Sequence, residues 1–234
     1  MAIVNRSTEK KYALITGATS GFGYEFAKIL AANGYNLVLV ARSQQRLQEV
    51  ADELVKTYGT GVTPIAKDLF NPVSAIEIYQ VTKELGIHID VLINDAGQGE
   101  HGKFIEYSLA RDIDIIQLNV TSLVSLTKYF LKDMVARNEG KVLQLSSLLG
   151  KLPAPLMTVY AATKAFVLSF TEGLIEELKD TNVTMTVLLP GAADTDFFHK
   201  AGAQDTVVYR ETELSAPEDV AREGYVALMR GESK

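Results

Sequence analysis

A tyrosine and a lysine four residues apart form the first pair whose side chains suggest chemistry. In the segment 160–164, YAATK, a helix would place the phenol and the ammonium one turn apart on the same face. A phenol with its ordinary pKa of about 10 exchanges protons poorly at neutral pH, but a neighbouring ammonium favours the phenolate and lowers that pKa. Tyr160 is therefore a candidate acid/base, and Lys164 would tune it.

A serine upstream of this pair is a candidate for holding a substrate oxygen. Ser147 follows a short apolar run that predicts a buried strand, so its hydroxyl would lie at the carboxyl end of that strand. A carbonyl that accepts a hydride must also gain a proton. Ser147 could orient and polarise the carbonyl oxygen, and Tyr160 could deliver the proton. Taken singly, Tyr160 also fits a core aromatic, Lys164 a surface charge and Ser147 a turn residue. Only the combination indicates catalysis.

A glycine-rich turn occupies the segment 16–23, TGATSGFG, between a predicted strand and a predicted helix. Glycines there permit a tight turn and a close approach of the backbone to a pyrophosphate, whose charge the helix N-terminus would meet. An ordinary turn between strand and helix is the alternative, and the context favours the dinucleotide. No Gly-Lys-Ser/Thr ending follows, which argues against a phosphate-loop nucleotidase.

The end of the second predicted strand bears on the choice of dinucleotide. NAD-binding proteins usually place an acidic residue there, against the ribose hydroxyls. This chain has Arg42 followed by Ser43, and Arg42 could pair with a 2′-phosphate through charge-assisted hydrogen bonds. The sequence therefore favours NADP, with NADPH as its reduced form, over NAD, although Arg42 also fits a solvated residue at the start of a helix.

The elements that must position these residues alternate along the chain. Short apolar runs predict strands at 12–16, 36–41, 62–66, 90–93, 141–146 and 183–189. Amphipathic patterns predict helices at about 22–33, 43–57, 71–85, 107–137, 155–180 and 216–230. Because parallel strands need crossovers on both faces, we expect an α/β fold with a Rossmann-like, doubly wound parallel sheet in a three-layer α/β/α sandwich. No repeat or linker divides it, so residues 1–234 form a single predicted domain.

The stretch 194–217 is the longest without clear periodicity, and such segments in compact domains often act as lids. We expect a mobile substrate loop there. It contains Phe197, Phe198, Tyr209 and Arg210, which combine aromatic surface with one cation and do not identify a substrate.

Composition limits the partners. The formal net charge of −6 opposes nucleic-acid binding. No apolar run is long enough to span a membrane, and the first eleven residues lack the apolar segment of a secretory signal. We therefore expect a cytoplasmic protein with a small-molecule substrate and without nucleic-acid or membrane partners. Cysteine is absent and the three histidines lack ligand spacing, so no metal site is expected.

Together these motifs resemble the short-chain dehydrogenase/reductase family over essentially the full length of the chain. The glycine turn resembles its TGxxxGxG motif, Tyr160 and Lys164 match YxxxK, and Ser147 precedes Tyr160 at the usual interval. Further matches lie at 94–97 (NDAG, against NNAG), 190–191 (the PG segment) and 68–69 (the adenine contact). Asn119 occupies the position of the family's helix asparagine, although a local backbone bond is the alternative for such a residue.

The resemblance implies roles for these residues. Tyr160 would be the acid/base, Ser147 would hold the substrate oxygen, and Lys164 would bind ribose and tune Tyr160. Asn119 would support a water-linked proton relay, and Thr195 would contact the nicotinamide carboxamide. The implied cofactor site comprises Gly17, Thr19, Ser20, Gly21, Phe22, Gly23, Arg42, Asp68, Leu69, Asn94, Ala96, Gly97, Tyr160, Lys164, Pro190, Gly191 and Thr195.

Two features depart from the family pattern. Asp95 replaces the second asparagine of NNAG, which removes two amide donors and introduces a carboxyl near the central strands. The family also usually adds a seventh strand and a tail after the helix near 216–230, whereas the printed sequence ends at Lys234. Either the sequence is incomplete at its C-terminus, or the sixth strand presents an exposed edge.

The favoured function is an NADP(H)-dependent oxidoreductase that interconverts a carbonyl and a secondary alcohol. A keto acid, a hydroxyamino acid, a 3-ketoacyl thioester and a lipophilic ketone all stay open as substrates. A non-catalytic NADP(H)-binding redox sensor on the same fold is the alternative, although a sensor would not need the serine, tyrosine and lysine. The family commonly forms homodimers or homotetramers, which we expect here. The stripe Phe166, Phe170, Leu174 and Leu178 fits either core or interface.

Overall fold

A computed structural model of the chain describes residues 10–206 and 213–232. Its sheet has six strands: β1 (Tyr12–Thr16), β2 (Asn36–Ala41), β3 (Val62–Ala66), β4 (Val91–Asn94), β5 (Gly140–Leu145) and β6 (Val183–Leu188). All neighbouring strands are parallel, in the order β3-β2-β1-β4-β5-β6. The strand order reverses between β1 and β4, and at such a switch point the connecting loops open a crevice beyond the strands' carboxyl ends.

Eight α-helices are described: α1 (Gly21–Ala32), α2 (Gln44–Tyr58), α3 (Ser74–Glu84), α4 (Leu109–Ile116), α5 (Ser122–Arg137), α6 (Thr158–Glu177), α7 (Phe197–Lys200) and α8 (Pro217–Arg230). Short 3₁₀ segments lie at Phe104–Glu106 and Leu148–Lys151. In the described ranges, no helix is both long enough and apolar enough to cross a bilayer.

The helices cover both faces of the sheet because successive strand residues point to opposite sides. Ile15 of β1 belongs to a core cluster shared with α1, α2 and α8. Its neighbour Leu14 belongs to the opposite cluster, which α3 and α5 complete. Because both faces are buried, the strands are apolar along nearly their whole length. The predicted three-layer, doubly wound fold is confirmed.

Most predicted elements lie within three residues of their observed bounds, but the predicted helix over 107–137 is interrupted. A π-helical turn, Gln117–Thr121, separates α4 from α5. Such turns insert one residue into the helical repeat and are frequent at functional sites. Asn119, a candidate site residue, lies in this turn.

The stretch expected to be a substrate loop is partly ordered. Ala193 and Ser215 form an isolated parallel bridge, which brings the two ends of the stretch together. Between them, α7 contributes Phe198 to a small apolar cluster with Ala201 and Ala203. Tyr209 and Arg210 lie outside the described residues, and the mobility of the stretch stays a prediction.

The edge of the sheet at β6 is where the family usually adds a seventh strand. Within residues 10–206 and 213–232, β6 is an edge strand that pairs with β5 alone. The sheet in this part of the chain therefore has six strands, and α8 packs over β5 and β6 on one face.

Candidate active site

A cavity of about 650 Å³ opens at the carboxyl ends of the central strands. Twelve of the predicted site residues line it: Gly17, Ser20, Gly21, Phe22, Ala96, Gly97, Ser147, Tyr160, Lys164, Pro190, Gly191 and Thr195. Seven others do not line it: Thr19, Gly23, Arg42, Asp68, Leu69, Asn94 and Asn119. The fold therefore brings the predicted reacting groups and most of the glycine turn to one cavity.

The glycine turn between β1 and α1 is too tight for other side chains. Gly17 has a φ of +71°, and its N–H donates to the Val40 carbonyl at 2.9 Å. A Cβ at Gly17 would lie 3.1 Å from the Ala96 nitrogen, and one at Gly23 would lie 2.6 Å from the Gly17 oxygen. Glycine is therefore required at both positions by the packing of the backbone itself.

The start of α1 suits an anionic group. Ser20 precedes the helix in an extended conformation, and its side chain makes no capping hydrogen bond within the described residues. No acidic residue lies in the first helical turn. In that turn the Gly23 N–H donates to Asp95 Oδ2 at 3.0 Å, and N–H groups left free at a helix N-terminus favour a phosphate. The turn and the helix start thus fit the pyrophosphate of a dinucleotide.

The Tyr160 phenol is buried beside Ser147. Burial raises the pKa of Tyr160 to about 12, the hydrogen bond from Ser147 lowers it, and the charge of Asp95 raises it. The sequence predicted a lowered pKa from Lys164, and the structure shows the opposite direction because desolvation of the phenolate dominates. Tyr160 is therefore in its protonated, acid form at neutral pH.

Hydrogen bonds hold Lys164 both through its side chain and through its backbone. Its Nζ donates to the Leu145 carbonyl at 2.7 Å and lies 5.7 Å from the centre of the Tyr160 ring. Its own carbonyl accepts a hydrogen bond from the Ser146 hydroxyl at 2.7 Å. Burial lowers the pKa of Lys164 to about 8, and the charge of Asp95 opposes this shift. Ser146 was not among the predicted site residues, although its position next to Ser147 could have indicated that it lies in the site.

Asn119 connects two elements of the site. Its Oδ1 accepts the Gln98 N–H at 3.0 Å, and its Nδ2 donates to the Gln98 carbonyl at 2.8 Å and to the Thr163 hydroxyl at 3.0 Å. These partners lie on the segment after β4 and on α6, so the alternative of a local backbone bond is wrong. Participation of Asn119 in a proton relay stays a prediction.

Arg42, the predicted partner of a 2′-phosphate, lies just after β2, and Asp68 and Leu69, the predicted adenine contacts, lie after β3. The Arg42 guanidinium is exposed and lies 5.5 Å from the centre of the Phe70 ring. Asp68 accepts the Phe70 N–H at 3.1 Å, and the Leu69 side chain is buried. Asp68 therefore shapes the turn that brings Phe70 beneath Arg42, a contact the sequence did not reveal.

Asn94 has a structural position. Its Nδ2 donates to the Thr127 hydroxyl at 3.1 Å and to Gln144 Oε1 at 3.0 Å. These bonds join β4 to α5 and β5 inside the core. Within the described residues, Asn94 Oδ1 is buried without a hydrogen-bond partner.

The remaining cavity wall is mainly apolar. It includes Leu148, Leu149, Ala154, Pro155, Met157, Phe197 and Phe198. The Phe197 ring lies 4.9 Å from the Tyr160 ring, centre to centre. Of these residues, the sequence analysis named only Phe197 and Phe198. The other five were not predicted, because the segment before α6 has no periodicity that indicates a cavity wall. Among the described residues, no group of three or more histidine, aspartate or glutamate side chains could hold a metal ion.

Comparison with known families agrees with this arrangement. A family model for short chain dehydrogenases matches residues 11–206. The chain belongs to this family. The matched region contains every residue of the predicted catalytic and cofactor sites, from Gly17 to Thr195.

Individual relatives show how far the similarity extends. The very-long-chain 3-oxoacyl-CoA reductase-A of Danio rerio is 36% identical over 193 residues, which cover 77% of this chain and 57% of that protein. This chain thus spans little more than half of that relative. The short-chain dehydrogenase from Sphingobium yanoikuyae in complex with NADPH has a TM-score of 0.87 and 30% identity, covering 95% of this chain and 86% of that one. A short chain dehydrogenase/reductase from Burkholderia phymatum in complex with NAD has a TM-score of 0.87 and 26% identity, covering 96% and 88%.

The contact between α6 and the Leu148–Lys151 segment gives a test of how the site is held. A Cβ at Gly150 would lie 2.8 Å from the Lys164 carbonyl carbon, so Gly150→Ala must displace backbone. We expect Gly150→Ala to lower the free energy of unfolding by about 1–3 kcal/mol, measured by urea denaturation. Gly173→Ala, within α6, is the control. A Cβ at Gly173 meets nothing within 4 Å, so we expect this substitution to be neutral or slightly stabilising. Equal effects of the two substitutions would contradict the contact.

Proposed function

We propose that this protein is an NADP(H)-dependent oxidoreductase that interconverts a carbonyl and a secondary alcohol. One observation carries the proposal: Ser147, Tyr160 and Lys164 line the same cavity as a glycine turn that fits a dinucleotide. A sensor would need the turn alone. Holding a phenol and a lysine nine-tenths buried costs desolvation and conformational entropy, and a catalytic role for the pair explains that cost.

The reaction follows from the protonation states of these residues. NADPH, when bound, supplies a hydride to the carbonyl carbon of the substrate. Ser147 donates a hydrogen bond to the carbonyl oxygen and polarises it. Tyr160, which is protonated at neutral pH, transfers its proton to the oxygen as negative charge develops there. Lys164 places a positive charge beside the ring that becomes phenolate, and the alcohol leaves with one hydride and one proton gained.

The acid/base role of Tyr160 has a direct test. We expect Tyr160→Phe to lower kcat roughly 10²–10⁴-fold because the proton donor is lost, while NADPH still binds. Steady-state reduction of a panel of ketones and fluorescence titration with NADPH measure the two effects. Tyr79→Phe is the control and should keep its activity. It removes a hydroxyl of α3 that is bonded to Asp133 of α5, and neither residue lines the cavity. Full turnover by Tyr160→Phe would show that the assigned mechanism is wrong.

The proposed preference for NADP rests on Arg42. Its guanidinium is exposed at the end of β2, stacked against Phe70, where a 2′-phosphate could accept its hydrogen bonds. Similar structures hold either NADPH or NAD, so the local residues must decide the preference. The stacking restricts the guanidinium before any ligand binds, which reduces the entropy lost on binding.

The Arg42 proposal predicts a selective loss of affinity. We expect Arg42→Ala to weaken NADPH binding roughly tenfold or more and to leave NADH binding nearly unchanged, because only NADPH carries the 2′-phosphate. Fluorescence titration with both nucleotides measures this. Arg46→Ala is the matched control, since Arg46 lies one turn further on and pairs with Glu49 at 3.0 Å. An equal loss for both nucleotides would remove Arg42 from the phosphate site.

The apolar wall narrows the substrate class. Leu148, Met157 and Phe197 face the space next to Tyr160, which suits a lipophilic ketone or the acyl chain of a 3-ketoacyl thioester better than a keto acid or a hydroxyamino acid. The name of the Danio rerio relative, a 3-oxoacyl-CoA reductase, supports the same class. A cytoplasmic location and the lack of nucleic-acid or membrane partners stay predictions from the sequence.

We propose in addition that the chain forms a homodimer, alone or within a tetramer, through α4 and α6. The side chains of Ile105, Leu109 and Ile113 are 87%, 72% and 53% exposed, and Phe166 of the adjacent α6 is also exposed. Such a group of apolar side chains on neighbouring elements is typical of an interface. Within the predicted stripe, Leu178 is buried in the core, and the exposed Phe166 is available for the proposed interface.

The dimer proposal is tested by mass in solution. We expect the double substitution Leu109→Asp and Ile113→Asp to yield monomers at concentrations where the unsubstituted chain is dimeric, because two buried carboxylates would face the partner. Light scattering after size exclusion measures the mass. Leu85→Asp, at an exposed position after α3, is the control. A substituted chain that stays dimeric would place the interface elsewhere.

A further inference from the structure

Asp95, which departs from the family's NNAG pattern, lies beneath the glycine turn. Its Oδ2 accepts the Gly23 N–H at 3.0 Å. The same oxygen lies 2.9 Å from the position a Cβ would take at Gly17 and 2.7 Å from that at Gly23. The Asp95 carboxyl is therefore packed closely against the turn that fits the dinucleotide, and Asp95 also lines the cavity.

Asp95 and Lys164 line the same cavity, and the Lys164 Nζ lies 3.4 Å from the position a Cβ would take at Gly97, two residues after Asp95. Burial raises the pKa of Asp95 to about 7, and the positive charge of Lys164 opposes this. Burial lowers the pKa of Lys164 to about 8, and Asp95 opposes that in turn. The charge of each group therefore opposes the effect of burial on the pKa of the other.

Other charges face the pair. Among residues 10–206 and 213–232, the titratable side chains that line the cavity are Asp95, His101, Tyr160, Lys164, Asp196 and Lys200. Lys200 lowers the pKa of Asp95, though less than Lys164 does, and it lies 3.5 Å from Asp196. Asp95 also contributes to the raised pKa of Tyr160. For Lys164, Asp95 supplies the opposing negative charge that counters burial.

We propose that Asp95 is a positioning residue whose carboxylate keeps Lys164 an ammonium within the cavity while it holds the glycine turn through Gly23. The proposal rests on the proposed function, in which Lys164 acts as a cation. An asparagine at this position would keep an acceptor for the Gly23 N–H but would lack the charge. The carboxylate thus extends toward alkaline pH the range over which Lys164 is protonated.

The decisive experiment measures the protonation of Lys164 in the full chain without nucleotide. Proteins labelled with ¹³C at the lysine Cε are titrated by NMR, and Lys164→Met identifies the signal. We expect the midpoint of Lys164 to fall by roughly one pH unit in Asp95→Asn, because the opposing charge is gone. Asp90→Asn is the matched control: Asp90 precedes the same strand, is also partly buried and accepts the Tyr12 N–H at 2.8 Å.

The kinetic counterpart is the pH profile of kcat/KM for ketone reduction. In Asp95→Asn the alkaline limb should move to lower pH together with the NMR midpoint, whereas a purely structural role would lower the rate without moving the limb.

An unchanged Lys164 midpoint in folded Asp95→Asn would overturn the proposal even if turnover is normal. A shifted midpoint in a protein that reduces no ketone would retain the Asp95–Lys164 coupling and refute the proposed function. Should Asp95→Asn not fold, a single-step Lys164 titration in the unsubstituted chain, showing no coupling to a nearby carboxyl, would overturn it.

Discussion

The attachment of α6 to the carboxyl end of β5 is the contact on which the rest of the site depends. Two buried hydrogen bonds make it, one from Ser146 to the Lys164 backbone and one from the Lys164 ammonium to Leu145. Gly150 allows the backbone of its segment to approach Lys164 closely. Because Ser147 lies two residues after the same strand, this one contact sets the position of Tyr160 and Lys164 relative to Ser147. A shift of α6 would move Tyr160 and Lys164 together relative to Ser147.

The parallel sheet converts distant sequence segments into a single cavity. The glycine turn follows β1 and Asp95 follows β4, and these strands are neighbours although nearly eighty residues separate their ends. Long-range pairing of this kind lets the partly buried carboxyl of Asp95 support a turn that lies more than seventy residues earlier in the chain. The same constraint explains why Gly17 must be a glycine, since the backbone of Ala96, in the segment after β4, lies directly against the turn.

Burial, more than the presence of any one neighbour, sets the charges in this cavity. Tyr160, Lys164 and Asp95 all shift toward their neutral forms because surrounding protein replaces water, and neighbouring charges then correct the shift in part. The sequence placed Lys164 beside Tyr160 and predicted a lowered phenol pKa. That direction was wrong because helical spacing reports which groups are close, whereas the exclusion of water is a property of the whole fold.

The sequence by itself determined the layered fold and indicated which groups are proposed to react, because apolar periodicity and short motifs are local properties. Spacing alone placed Tyr160 and Lys164 on one helix face, and the strand pattern placed Ser147 at a carboxyl end. Only the tertiary structure decided the π-helical turn at Asn119, the apolar wall from Leu148 to Met157 and the supporting position of Asp95. These depend on contacts between segments distant in sequence, whose energies come from close packing and from excluded solvent, and neither leaves a periodic pattern in the chain.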